Sequence, residues 1–137
     1  MCKLVMIDDN QMEHLIMQRM FDGYELFPDA SHSLDARLIL EFLAKHAKLE
    51  ALLPDVIFLD LNMPEFSGWD FLTQFEILRP LLKKQIAIYI VSSSIDLDEI
   101  ARAKAYPFVK DYLSKPIKKE TLKRLHLDCE EVHQMTG

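Results

Sequence analysis

Glycine is scarce in this chain. Gly23, Gly68 and Gly137 are the only three in 137 residues, which excludes a phosphate cradle of the GxGxxG or GxxxxGK type. Cysteine is scarcer: there are only Cys2 and Cys129, one near each end. Two cysteines do not make a disulfide framework, and the expectation is free thiols in a reducing cytosol. No apolar run approaches the roughly 18 residues of a membrane span, so no membrane insertion is expected. The opening Met-Cys-Lys-Leu-Val-Met-Ile-Asp-Asp meets two acids after a short apolar run, which is unlike a secretory signal. Basic residues are outnumbered, 16 Lys and Arg against 22 Asp and Glu, and a net acidic surface does not bind nucleic acid unaided. Linkers, repeats and low-complexity stretches are missing too. Residues 1–137 are therefore read as one domain, long enough to bury its own core.

What is present is an alternation of two patterns. Short apolar runs rich in Val, Ile and Phe read as strands: Leu4–Ile7, Val56–Leu59 and Ile86–Val91, with weaker ones at Tyr24–Phe27 and Phe108–Leu113. The three strong runs do not alternate with polar residues, as expected of parallel strands covered on both faces. Between them lie helical spacings. Met12, Leu15, Ile16 and Met20 make one face, with Asn10 and Glu13 resembling a capping box. Leu34, Leu38 and Phe42 step by four, and Leu72, Phe75 and Leu78 by three. Asp96 with Glu99 reads as a cap for a helix running toward Tyr106. Leu122, Leu125, Cys129 and Val132 give a last helix after Pro116. Strand and helix in turn, five times over, mean an α/β fold with a doubly wound parallel sheet. The strand order is not in the sequence.

In such sheets the reactive groups collect beyond the carboxyl ends of the strands. The first strand ends in Asp8-Asp9, the third in Asp60-Leu61-Asn62-Met63-Pro64, the fourth in Ser92-Ser93-Ser94, and the fifth in Tyr112-Leu113-Ser114-Lys115-Pro116. Three carboxylates, a hydroxyl and an ammonium would thus converge at one edge. Each like-charged pair at about 4 Å costs about 4 kcal/mol at an effective dielectric near 20. Lys115 offsets one charge, and Mg²⁺ is the natural second partner because it prefers carboxylate, carbonyl and water oxygens. Metal and ammonium together suit a transferring phosphoryl group, and a carboxylate can be its nucleophile.

At these residues the sequence resembles the receiver domain of two-component response regulators, in its stand-alone form. The resemblance covers nearly the whole chain and rests on Asp8-Asp9, the segment Asp60 to Gly68, Ser92 and Lys115-Pro116, in order and at the right strand ends. It implies a flavodoxin-like strand order 2-1-3-4-5. It makes Asp60 the phosphoacceptor. Asp9, Asp60 and the backbone carbonyl of Asn62 would hold Mg²⁺ directly, and Asp8 mainly through a water. Lys115 would pair with Asp60 and then with the phosphoryl oxygens. Ser92 would report the phosphoryl group, and Tyr112 would be the aromatic switch whose ring turns inward. The Lys115-Pro116 peptide would be cis. The implied partners are a sensor histidine kinase or a histidine phosphotransfer protein upstream and a protein target downstream. The implied protein is cytoplasmic and a monomer or weak dimer. It would signal through its fourth helix, fifth strand and fifth helix and would not turn over an external substrate.

Alternatives sit beside this reading. The apolar run ends at Val91, which makes Ser92 the switch hydroxyl, with Ser93 one register step away. A phosphatase of the haloacid-dehalogenase type would carry an acid two residues after its nucleophile, where this chain has Asn62, which cannot serve as a general acid. A receiver-like protein that takes no phosphate would have lost Asp9, Asp60 or Lys115, and all are present. Nothing after Pro116 is long enough for a helix-turn-helix DNA-binding module. His14, His32, His46, His126 and His133 are scattered without zinc-ligand spacing and read as surface or helix-face residues. Trp69, after Gly68 at a helix start, reads as a packing residue. Lys118, Lys119, Lys123 and Arg124 read as a solvated helix face.

Overall fold

The structure is a computed structural model that describes residues 2–136, with side chains through Val132. Five strands form one parallel sheet in the order β2-β1-β3-β4-β5. They are β1 (Leu4–Ile7), β2 (Ser31–Ser33), β3 (Val56–Leu59), β4 (Ala87–Ser92) and β5 (Val109–Ser114). The helices are α1 (Gln11–Tyr24), α2 (Ala36–Lys45), α3 (Gly68–Leu78), α4 (Leu97–Lys104) and α5 (Lys119–Thr136). This is the doubly wound, flavodoxin-like arrangement with order 2-1-3-4-5.

The pleat sorts the central strands onto two cores. Ile7, Ile57, Leu59, Ile88 and Ile90 pack with Leu43 of α2, Phe71, Leu72 and Phe75 of α3 and Ala103 of α4. Leu4, Met6, Val56, Phe58 and Val91 pack on the other face with Met17 and Phe21 of α1 and Leu122 and Leu125 of α5. Both faces are covered, which is why these strands read as unbroken apolar runs.

Some expectations are corrected. The second strand is Ser31-His32-Ser33, not Tyr24–Phe27. Tyr24 ends α1, and Glu25 and Phe27 adopt positive φ of 56° and 46°, which breaks the chain out of any strand. Phe27 is apolar because it plugs the α1–α5 core at this turn, against Phe21 and Phe58. The real β2 is a short edge strand with exposed side chains, so it carries no apolar signal.

The face Met12, Leu15, Ile16 and Met20 is not the buried one. His14, Met17 and Phe21 are buried, while Met12, Leu15 and Ile16 are 61%, 53% and 49% exposed. Leu34, Leu38 and Phe42 are likewise exposed, and α2 buries Ala36 and Leu43 instead. By contrast Leu72, Phe75, Leu122 and Leu125 are buried as their spacing indicates. Asn10 caps α1 by accepting the Met12 N–H at 2.9 Å, and Asp96 caps α4 through the N–H groups of Asp98 and Glu99. Trp69 packs against the core, with the Arg102 guanidinium 4.0 Å from its ring centroid.

The two cysteines are not free thiols: Cys2 and Cys129 form a disulfide, with Cα atoms 6.0 Å apart. The topology explains the meeting. α5 runs back against the parallel strands, so its C-terminal half returns to the sheet edge where β1 begins. Their separation of 127 residues gave no hint of it.

Candidate functional site

The strand order puts β1 and β3 side by side, with Ile7 in register with Leu59. The next residues, Asp8 and Asp60, therefore leave the sheet together. Asp8 is 2% and Asp60 7% exposed, whereas Asp9 faces solvent. Carboxylate oxygens of Asp8, Asp9 and Asp60 lie within 4.8 Å of one another. They line a cavity of about 480 Å³ with Asn62, Ser93, Lys115 and the apolar Ile16 and Met20 of α1.

Local sequence holds each group in place. The Asp60 Oδ1 accepts the Asn62 N–H at 3.3 Å, and the Asp8 Oδ1 accepts the Asn10 N–H at 2.9 Å. Gly68 lets α3 start against the loop that follows β3: a Cβ there would lie 2.5 Å from the Asp60 carbonyl oxygen and 2.6 Å from the Leu61 Cα. Ser67 and Asp70 form a capping box over that start. The Lys115-Pro116 peptide is cis.

Lys115 reaches Asp8, not Asp60: its Nζ lies 2.9 Å from Asp8 Oδ2. Asp8 is the more deeply buried carboxylate and has the greater need of a counterion. Burial pulls the Lys115 ammonium down, but the hydrogen bond to Asp8 and the charges of Asp60, Asp8 and Glu13 outweigh it, and its pKa is raised. Burial pushes the Asp60 carboxyl up, and Asp8 adds to this. Lys115 and the Asn62 N–H act in the opposite direction, and Asp9 pushes upward again. The donor set of three carboxylates with adjacent carbonyls is hard oxygen chemistry and fits Mg²⁺.

Ser92 ends β4 fully buried, and its Oγ accepts the Ser94 N–H at 3.1 Å. Ser93 is exposed and lines the cavity. Tyr112 is turned inward, and its hydroxyl donates to the Ser94 carbonyl at 3.2 Å. The Ser94 Oγ accepts the N–H of Asp96, the cap of α4. One residue, Ser94, thus connects Ser92, Tyr112 and the start of α4.

The sequence reading missed a histidine pair beneath this edge. His14 is buried, its Nε2 2.8 Å from the Asp8 carbonyl oxygen and its Nδ1 2.7 Å from Nδ1 of His32. A carbonyl only accepts, so His14 carries a proton on Nε2, and His32 Nε2 lies 2.7 Å from the Gln18 Oε1, which also only accepts. Burial, then the neighbouring His14, hold the His32 pKa below its ordinary value. The signal was the spacing His14, Met17, Phe21, which is the true buried face of α1. His126 is also engaged, its Nδ1 accepting the Phe27 N–H at 3.0 Å. The side chain of His133 lies outside the described residues.

Among the described residues no helix is long and apolar enough to cross a membrane. Comparison with known proteins gives a consistent result. The chain is 27% identical over 121 residues to the probable methanogenesis regulatory protein FilR2 of Methanothrix harundinacea, covering 88% of this chain and 76% of that protein. It is 32% identical over 89 residues to a protein-glutamate methylesterase/protein-glutamine glutaminase of Treponema denticola, covering 65% of this chain but only 21% of that enzyme. A two-component response regulator of Cytophaga hutchinsonii has the same fold, with a TM-score of 0.80, 22% identity, and coverage of 94% and 96% of the two chains. The family model for the response regulator receiver domain matches residues 4–126, and this chain belongs to that family, a signalling module of two-component systems.

Proposed function

We propose that Asp60 is a phosphoacceptor, taking a phosphoryl group from a phosphohistidine in a Mg²⁺-dependent step. The observation that carries this reading is the convergence of the Asp8, Asp9 and Asp60 carboxylates with the Lys115 ammonium at one strand edge. An Asp60 carboxylate oxygen attacks phosphorus, an O–P bond forms, and the N–P bond breaks. Its electron pair returns to the donor imidazole, which takes up a proton. Asp9, Asp60 and the Asn62 carbonyl, with Asp8 behind them, would hold Mg²⁺, which supplies Lewis-acid stabilisation of the transferring oxygens. The Asn62 N–H orients Asp60, and Lys115 shifts from Asp8 toward the phosphoryl oxygens. Ile16 and Met20 give the cavity one apolar wall.

The readout runs through the hydrogen bonds at Ser94. If the Ser92 hydroxyl turns to donate to a phosphoryl oxygen, it releases the Ser94 N–H. The carbonyl of Ser94 also accepts from Tyr112 and its Oγ accepts from the α4 cap Asp96, so the disturbance passes to α4 and β5. A local charge event thereby biases a two-state surface of α4, β5 and α5 for a downstream protein. Upstream, the exposed Met12, Leu15 and Ile16 offer an apolar landing beside Asp60 for a histidine kinase or histidine phosphotransfer protein. The same reading makes residues 1–137 one receiver unit, cytoplasmic like its phosphodonors, with no turnover of an external substrate.

The test is intact-protein mass spectrometry after incubation with acetyl phosphate, with and without Mg²⁺. One phosphoryl group should be added only with Mg²⁺ and not in Asp60→Asn. Ser92→Ala should keep the adduct but lose the phosphate-induced change at Tyr112, whereas Ser93→Ala should keep both. Labelling of Asp60→Asn equal to wild type would refute the acceptor assignment.

A further inference from the structure

Among its described residues, the C-terminal part of α5 has few apolar anchors. Leu122 and Leu125 are buried, whereas Leu127 and Val132 are exposed. Beyond Leu125 the helix is tied to distant parts of the chain by polar and covalent contacts. His126 accepts the Phe27 N–H at 3.0 Å, Glu130 Oε1 accepts the Cys2 N–H at 3.1 Å, and Cys129 is bonded to Cys2. Two of these three end on Cys2, at the start of β1. The two cysteines also differ in access. Cys2 is completely enclosed, while Cys129 lines an open groove of about 1060 Å³ along the N-terminal edge of the sheet, at the far end from Asp60.

We propose that Cys2–Cys129 is a reversible redox site, opened through this groove by a dithiol reductant, and that its state sets the order of α5 beyond Leu125. A thiolate of the reductant attacks the Cys129 sulfur and forms a mixed disulfide. The electron pair of the broken S–S bond leaves on Cys2, which takes a proton. The second thiolate of the reductant then displaces Cys129, which takes the other proton. The dithiol departs as a disulfide, so two electrons and two protons have moved to the protein. A disulfide oxidant reverses the sequence. Reduction removes the covalent anchor, and a short helical end whose described aliphatic side chains, Leu127 and Val132, are exposed does not hold itself in water. Since α5 is part of the signalling surface proposed above, the device rests on that reading for its purpose. Its test needs no phosphate, so the two can fail separately.

The full chain, oxidised with glutathione disulfide or reduced with dithiothreitol, is digested without further reduction and mapped by mass spectrometry. A Cys2–Cys129 cross-linked peptide pair is expected only after oxidation. Amide hydrogen exchange at residues 126–132 should be at least about tenfold faster after reduction, with β3 unchanged. With glutathione disulfide, Cys129 in Cys2→Ser should form a mixed disulfide at least about tenfold faster than Cys2 in Cys129→Ser. The double variant Cys2→Ser/Cys129→Ser should exchange like reduced wild type under both conditions. No cross-link, equal protection of α5 in the two redox states, or faster modification of Cys2 would each overturn the proposal. So would redox-dependent exchange that persists in the double variant.

Discussion

Replacing the Asp60 carboxylate should make the metal-free protein more stable. Asp60 is buried among Asp8 and Asp9, with their oxygens within 4.8 Å, where one like-charged pair costs about 3.5 kcal/mol at an effective dielectric near 20. Lys115 returns an attraction of similar order, and the Asn62 N–H adds a hydrogen bond. The raised Asp60 pKa says that burial and repulsion win. Asp60→Asn keeps the shape and an oxygen for the Asn62 N–H but removes the charge. The expected gain is about 1–2 kcal/mol at neutral pH without divalent ions, or about 3–7 °C in Tm for a chain of this size. The sign with pH comes from the raised pKa. In wild type the penalty is absent below the ordinary carboxylate range, where folded and unfolded states are both protonated. It grows as pH rises through the folded-state pKa and is complete above it. The advantage of Asp60→Asn should therefore shrink as pH falls. Mg²⁺ at ten times its dissociation constant should restore about 1.4 kcal/mol to wild type and much less to the variant. Calorimetric melts in EDTA and in Mg²⁺, across pH, test all three points. A variant less stable than wild type in EDTA at neutral pH would refute the reasoning.

Gly68→Ala should cost about 1–3 kcal/mol, because its Cβ would meet backbone atoms of Asp60 and Leu61, which cannot swing aside. Urea denaturation measures the loss, and acetyl phosphate labelling should slow as the Asp60 loop shifts. Lys115→Met leaves Asp8 buried without its counterion and should cost about 2–4 kcal/mol at neutral pH, also read from urea midpoints. Tyr112→Phe removes the hydroxyl bond to the Ser94 carbonyl and should cost about 1 kcal/mol, while labelling of Asp60 stays at the wild-type rate. Leu15→Asp should leave acetyl phosphate labelling intact yet slow transfer from a phosphohistidine protein at least about tenfold, in a stopped-time transfer assay.

The fold was legible where burial on both faces leaves an unbroken apolar run. Leu4–Ile7 and Val56–Leu59 match β1 and β3 to the residue, and Ala87–Ser92 and Val109–Ser114 begin and end one residue later than their apolar runs. It failed at the edge. Ser31-His32-Ser33 needs only one paired neighbour and buries little, so no hydrophobic period marks it. Phe27 misled because a plug in a left-handed turn has the same composition as a strand. α1 and α2 misled for another reason. Each has two apolar stripes, and periodicity alone ranks the longer aliphatic one first. The structure buries His14, Met17 and Phe21 and leaves Met12, Leu15 and Ile16 outside.

The site divides along the same physical line. Residues placed by strand ends, Asp8, Asp9, Asp60, Ser92 and Lys115, could be read because a parallel sheet gathers the carboxyl ends of all its strands at one edge. Which partner each takes is settled by depth, not by order along the chain. Lys115 goes to Asp8 because a carboxylate at 2% exposure has the greater need of a counterion, although Asp60 is the residue the family pattern pairs with it. The same holds for the histidines and cysteines. His14 and His32 are 18 positions apart, and Cys2 and Cys129 are 127 apart. The histidines meet because β2 pairs beside β1 and brings His32 to the start of α1, and the cysteines because α5 runs antiparallel to the strands and carries Cys129 back to the start of β1. A period read along one helix reports which residues share a face. It does not report what another element presents to that face, and these contacts depend on that second fact.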